Sequence, residues 1–309
     1  MDQNLIQENI ACDLLSVVLS LKPLQVDTNG KTLPRWWGRS AHALLLNTIR
    51  QYDPGFAEQL HADHRPPGKD MAGPALNASV RPFTVSSLLG RFPQGALERE
   101  QVYALRMTAF HPHLAALLQK AVLEGPLAAG NKIELDFLPF RIEKACWKDA
   151  DHAWTGEQNY QDLGASLLLA KQAAAKRISL HFTSPTTFKS AGKNIPLPLP
   201  EMVFGSLLDR WNAYAPIVFP EEVRRYAAEC LAVGRYKIST RPVPFKRGGM
   251  RIGFVGQVTF TSLNYDRYWM SLLGALASFA IFCGVGGGTS MGMGQCRVSY
   301  PSIREKSTG

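Results

Sequence analysis

Seven histidines are the side chains that titrate near neutrality without perturbation, and one of them stands apart. His42 lies near the start of RWWGRSAHALLLNTIRQYD, where Ala41, Leu44, Leu45, Thr48 and Ile49 recur at helical spacing. Arg39 precedes it by one turn, and Arg35, Arg50 and Tyr52 are close in sequence. An imidazole near a helix N-terminus meets the positive end of the dipole, which favours its neutral form. A neutral imidazole accepts a proton. Beside cations, that is equipment for breaking a phosphodiester bond without a metal. A base takes the proton of a 2′-hydroxyl, an acid protonates the leaving 5′-oxygen, and a cation stabilises the charge on the phosphoryl oxygens. The competing reading is a half-buried helix residue with a satisfied ring. His61 and His64 flank a turn, His111 and His113 a helix start; His152 lies in a polar segment and His181 in a strand pattern.

Other chemistries find less support. There is no HExxH, no DxD and no local carboxylate cluster, so no metal site is expected. No GxSxG elbow marks a serine nucleophile. The five cysteines, at 12, 146, 230, 283 and 296, have no zinc-ligand spacing and read as reduced thiols of a cytoplasmic protein. No cofactor is expected.

A second chemical feature lies at the far end of the chain. GVGGGTSMGMGQCRV, residues Gly284–Val298, holds six glycines between Gly284 and Gly294. Glycine-dense backbone turns successive N–H groups outward into an anion-binding concavity. Gly286, Gly287, Gly288, Thr289, Ser290, Gly292 and Gly294 are therefore candidate phosphate contacts. A nucleotide P-loop needs a lysine after the glycines, and Thr289 stands there. A dinucleotide fingerprint puts its glycines before a helix, whereas here a long apolar segment precedes them. The competing reading is a flexible turn. Basic residues interleaved with aromatics form a third feature: Arg235, Tyr236, Lys237, Arg241, Phe245, Lys246, Arg247 and Arg251. Arg235 and Lys237 share one strand face, which suits a phosphate backbone, with Lys189 and Lys193 adding to it. The alternative is a solvated edge strand blunted by charge.

These features need a scaffold. The chain has 309 residues, 46% apolar and 19% charged, with a formal charge of +9 and a pI near 9.4. Such composition supports packed cores and excludes disorder, and the basic excess points to a polyanion. The N-terminus has no signal-peptide pattern, and Tyr268–Gly284 reads as a buried helix rather than a membrane span. The patterns predict a strand at Cys12–Leu21, a helix after Pro34 and a short helix at Gly55–Ala62. Strands at Val80–Leu89 and Gln101–Phe110, a helix at Pro112–Leu123 and one or two strands in Lys132–Trp147 follow. Asp149–Gln161 reads as a linker and Leu163–Lys176 as a connecting helix. The order then recurs with one extra helix: Ile178–Phe182, Glu201–Tyr214, Pro220–Ala232, Val233–Pro244, Gly253–Ser262, Tyr268–Cys283 and Gln295–Ser299. This predicts an α+β chain of two tandem ferredoxin-like (RRM-like) βαββαβ domains, at 1–150 and 177–309, joined by 151–176.

Four stretches carry a family resemblance: GRSAHALLLNTI (Gly38–Ile49), RPFTVSSLLG (Arg81–Gly90), ISLHFTSPTTFKSAGKNIPLPLPEMVFGSLLDRWN (Ile178–Asn212) and the glycine-rich carboxy-terminal run. In this order they resemble the CRISPR repeat-processing endoribonucleases of the RAMP superfamily. The resemblance implies a cut within precursor CRISPR RNA by 2′-hydroxyl attack, leaving a 2′,3′-cyclic phosphate and a 5′-hydroxyl. It implies a histidine acid/base on the first helix, where His42 falls, with Arg39 as neighbouring cation. Some similar enzymes add a lysine downstream of that histidine and a tyrosine upstream. This chain has Asn47 and Thr48 in place of the lysine and no such tyrosine. A non-catalytic RNA-binding subunit, working beside other CRISPR effector subunits, is the rival reading.

Overall fold

A computed structural model describes residues 12–28, 30–61, 80–168, 174–245 and 249–299. The expected turn-rich stretch His64–Pro74 lies outside them, as does part of the expected connecting helix.

The first half is built on one antiparallel sheet. Its strands are β1 (Leu14–Pro23), β2 (Phe83–Val85), β3 (Tyr103–Ala109), β4 (Lys132–Leu135), β5 (Leu138–Cys146) and β6 (Gly156–Gln158). Helices α1 (Gly38–Arg50), α2 (Pro54–His61) and α3 (Pro112–Leu123) belong to the same half, and α4 (Tyr160–Leu168) leads out of it. The sheet order is β2-β3-β1-β5-β4. β1 reads as a near-continuous apolar run because it is central, with β3 on one side and β5 on the other.

The second half repeats the plan. Its strands are β7 (Arg177–Thr186), β8 (Phe188–Ser190), β9 (Lys193–Ile195), β10 (Leu231–Pro244), β11 (Met250–Ser262) and β12 (Cys296–Val298), with helices α5 (Pro200–Tyr214), α6 (Glu222–Cys230) and α7 (Arg267–Cys283). The main sheet runs β10-β11-β7-β12. In both sheets the first and third strands of the βαββαβ unit lie in the middle, so the chain is a tandem of ferredoxin-like folds. α7 is apolar nearly all round, as a buried helix must be, and Asp266 caps it by accepting from the Trp269 N–H at 3.1 Å. Among the described residues no helix is long and apolar enough to cross a membrane.

Two elements depart from the sequence reading. The polar linker carries β6, which pairs with Leu14–Ser16 of β1. β5 covers β1 only from Val18 onward, and the rest of that central strand needs another partner for its backbone groups. The proline-rich loop contains the β8–β9 hairpin, turning through Ala191 and Gly192 at φ +48° and +76°. Strands of three residues have too few side chains for a periodicity to show.

Each sheet packs its helices over its own core, and the cores meet at Phe110. That residue directly follows β3 of the first half yet packs in the second core, with its ring 5.8 Å from Phe279 of α7 and 5.6 Å from Tyr214 of α5.

Candidate active site

α1 is positioned by Ala41, Leu45, Leu46 and Ile49, all buried against the first sheet. His42 sits at the edge of that stripe, and only 7% of it is exposed. Its ring lies 5.4 Å from that of Phe83 in β2. It is the fifth residue of α1, past the first turn where the helix dipole acts, so the dipole argument weakens. The polar neighbour that matters is Ser290: His42 Nδ1 donates to its backbone carbonyl at 2.8 Å. A proton held on Nδ1 by a carbonyl leaves Nε2 as the nitrogen that would exchange a proton with substrate.

Ser290 belongs to the glycine-rich run, so the two chemical features, 248 residues apart, are in contact. Residues Thr289–Met291 form a single 3₁₀ turn, entered and left through Gly288 and Gly292 in left-handed conformations, φ +78° and +93°. Trp36 Nε1 donates to the Met291 carbonyl at 2.6 Å, so the turn rests on the start of α1.

The concavity expected of this loop is smaller than the glycine count implies. The Val285 N–H donates to Gly294, Gly287 to Thr187 and Gly294 to Pro185, while Gly286 donates to Ser206 Oγ. The loop is a packed joint because it lies between the two halves, where unpaired amides would be costly. Among the described residues, the N–H groups of Gly288, Thr289 and Ser290 have no protein acceptor. Arg210 of α5 anchors the loop from behind, donating to the Gly286 carbonyl and to Ser206. Burial lowers the Arg210 pKa from its ordinary value.

In front of these amides is a groove of about 1020 Å³ between the turn, α5 and the β8–β9 hairpin. Arg81, Lys189, Arg210, Arg224 and Arg251 line it, with Glu201, Asp209 and Glu221. Arg81 Nη1 donates to Ser290 Oγ at 3.3 Å, and Arg251 stacks on Phe245 with its guanidinium carbon 4.0 Å from the ring centre.

The remaining expected residues are spread out. Arg39 is exposed, one turn before His42, and does not line the groove. Lys193 is exposed on the same hairpin as Lys189. Arg235, Lys237 and Arg241 are exposed along β10, and Arg241 lines a separate cavity of about 560 Å³ with Trp36 and Trp154. Lys246 and Arg247 lie outside the described residues.

Arg106 and Gln295 escaped the sequence reading. Arg106 is buried in β3 without a carboxylate. It donates to Ser16 Oγ at 3.0 Å and to the Trp154 carbonyl at 3.1 Å, and also to Gln295 Oε1 and the Ile281 carbonyl. Burial pushes its pKa down to about 9, which still leaves it cationic at neutral pH. Gln295 in turn donates to the Val85 carbonyl at 3.1 Å, so the pair ties the second half to the first. A charged residue inside the otherwise apolar β3 was the available signal. Arg106→Met relieves a buried charge but takes the donor from Gln295 Oε1 and from the Ile281 carbonyl, while the Trp154 carbonyl keeps the Ser16 hydroxyl. We expect a net loss of about 3 kcal/mol in denaturant unfolding, whereas an unchanged midpoint would show that the pin contributes nothing.

The architecture is two ferredoxin-like sheets with a glycine-rich turn before the last strand. Residues 180–296 match the family model of CRISPR-associated endoribonuclease Cas6. A Mycobacterium tuberculosis CRISPR-associated endoribonuclease Cas6 is 32% identical over 152 residues, 48% of this chain and 47% of that protein. The match thus spans about half the length of that relative. A Thermus thermophilus Cas6 solved as a product complex superposes with a TM-score of 0.71 at 26% identity, covering 93% of this chain and 100% of that one. A second Cas6 product complex gives 0.69 at 25%, covering 93% and 99%. The chain is thus similar to Cas6 proteins in sequence over part of its length and in fold over most of it.

Proposed function

We propose that this protein is an endoribonuclease that cuts CRISPR repeat RNA without a metal ion. The observation that carries this reading is the His42–Ser290 hydrogen bond, which sets an imidazole against a glycine turn bordering a cation-lined groove. The 2′-hydroxyl loses its proton and its oxygen attacks the adjacent phosphorus. The bond to the 5′-oxygen breaks, and that oxygen gains a proton. The products are a 2′,3′-cyclic phosphate and a 5′-hydroxyl. His42 Nε2 serves one of the two proton transfers, and the Ser290 carbonyl fixes the tautomer in which it does so. The amides of Gly288, Thr289 and Ser290 hold the phosphate. Arg235 and Lys237, exposed along β10, meet the RNA backbone.

The test is cleavage of a repeat RNA by wild type in EDTA. A 2′-deoxy nucleotide at the cut site abolishes the reaction, and complete dependence on magnesium would overturn the chemistry. Lys189, on the groove wall, is expected to contact one phosphate. Lys189→Ala then weakens RNA binding and flattens the plot of log affinity against log salt by about one. An unaltered slope would remove Lys189 from the interface.

The burial of His42 favours a second reading, an RNA-binding subunit that does not cut. Tight repeat binding without cleavage, and co-purification with other effector subunits, would establish it.

A further inference from the structure

The reaction proposed above needs a cation at the scissile phosphate, and this inference rests on that reading. We infer that the cation is Arg81, and that Arg39 has no part in the chemical step.

The placement is specific. Ser290 connects the two groups: its carbonyl accepts from His42 Nδ1 at 2.8 Å and its hydroxyl accepts from Arg81 Nη1 at 3.3 Å. One serine therefore separates the imidazole from the guanidinium. Arg81 lines the groove beside the Gly288–Ser290 amides, and Arg39 does not. A phosphoryl group in the groove would meet three amides and the Arg81 guanidinium, whose Nη1 also donates to Ser290 Oγ.

The backbone holds Arg81 in place from both sides. The Tyr214 hydroxyl donates to the carbonyl of Val80, and the Phe110 N–H donates to that of Pro82 at 2.9 Å. Two residues on, Phe83 pairs with Ala109 in the sheet and sets its ring against His42. The strand that carries the cation thus also orients the histidine. A donor fixed before the reaction begins spends no energy on reorganisation as charge develops, and this distinguishes stabilisation of a transition state from simple binding.

Of the other arginines of the groove, two hold protein acceptors and the third stacks on an aromatic ring beside the turn. Arg210 holds the Gly286 carbonyl and Ser206. Arg224 pairs with Asp209 at 2.7 Å and lies 3.6 Å from Glu221. Arg251 lies against Phe245 toward the Gly288 end of the turn.

The experiment is single-turnover cleavage at saturating RNA, with affinity measured separately. Arg81→Gln is expected to lower the rate about 100-fold and to leave affinity within about threefold. Arg81→Lys, which keeps the charge, is expected to recover part of that rate. Arg39→Ala is expected to cut at close to the wild-type rate. A phosphorothioate at the cut site supplies a readout that a merely structural role would not move. Wild type distinguishes the two sulfur diastereomers, and Arg81→Gln loses that distinction. Wild-type rate in Arg81→Gln, an unaltered diastereomer preference, or an equal loss in Arg39→Ala would overturn the assignment alone. Failure of wild type itself to cut would overturn the enzyme reading and this assignment with it.

Discussion

Replacing His42 with alanine lowers single-turnover cleavage of repeat RNA by roughly 10²–10⁴-fold, the range for loss of a positioned acid or base. RNA affinity stays near that of wild type, because the ring is almost wholly buried and offers little surface to bind. His42→Asn separates the chemical role from the structural one. Its side-chain amide can still donate toward the Ser290 carbonyl, so the turn keeps its support, yet it cannot exchange a proton near neutral pH. The Asn variant is therefore expected to melt with wild type and to cut as poorly as the Ala variant. Added imidazole is expected to recover part of the activity of His42→Ala. Undiminished cutting by both variants would take His42 out of the mechanism and turn the hydrogen bond to Ser290 into a packing contact.

Gly38→Ala carries the second large effect, and it acts without touching a reacting group. Gly38 is the first residue of α1, directly against the glycine turn. A Cβ there would stand 1.9 Å from the Met291 carbonyl oxygen and 2.4 Å from its carbon. Both are backbone atoms, so either the helix start or the turn must move. Overpacking of this kind costs about 1–3 kcal/mol. For a chain of this size, that lowers the melting temperature by roughly 2–10 °C. The loss in rate is expected to be larger than the loss in stability implies, on the order of 10²-fold, because His42 and Ser290 sit on the two elements that are driven apart. Gly55→Ala in α2 is the control. Its new Cβ would find only Asp53 Oδ1, at an ordinary 3.7 Å. A Gly38→Ala variant that melts and cuts like wild type would mean that the contact between α1 and the turn is dispensable.

Much of the fold was legible because periodicity and punctuation agree in the long elements. Pro112 opens α3 at a position where a missing N–H costs nothing, and the helix runs to Leu123 as expected. α7 announces itself by an apolar run too short to span a bilayer and followed by glycines. The repeated βαββαβ order follows from these long segments, and the sheet orders agree with it. β6 and the β8–β9 hairpin were not legible, because a three-residue strand exists through its partner. β6 forms where β5 leaves β1 uncovered, a fact of three dimensions.

The site divides in the same way. Residue type alone singled out His42, since an imidazole titrates near neutral pH wherever it stands. Composition alone singled out Gly284–Gly294, since only glycine adopts such backbone freely. Neither property says that the two features touch. Nor could the glycines say where their amides point: most are spent on the joint between the halves, and the concavity contracts to Gly288, Thr289 and Ser290. For the arginines, residue type supplies a charge but not its surroundings. Arg39 is next to His42 along the helix and ends in solvent, while Arg81, distant in sequence, reaches Ser290. Arg106 looked like one more basic residue and is buried as a pin between the halves. The charge and shape of a side chain are local properties, fixed by the sequence alone. What that charge acts on depends on distance and on exclusion of water, and only the packing of one half against the other decides those.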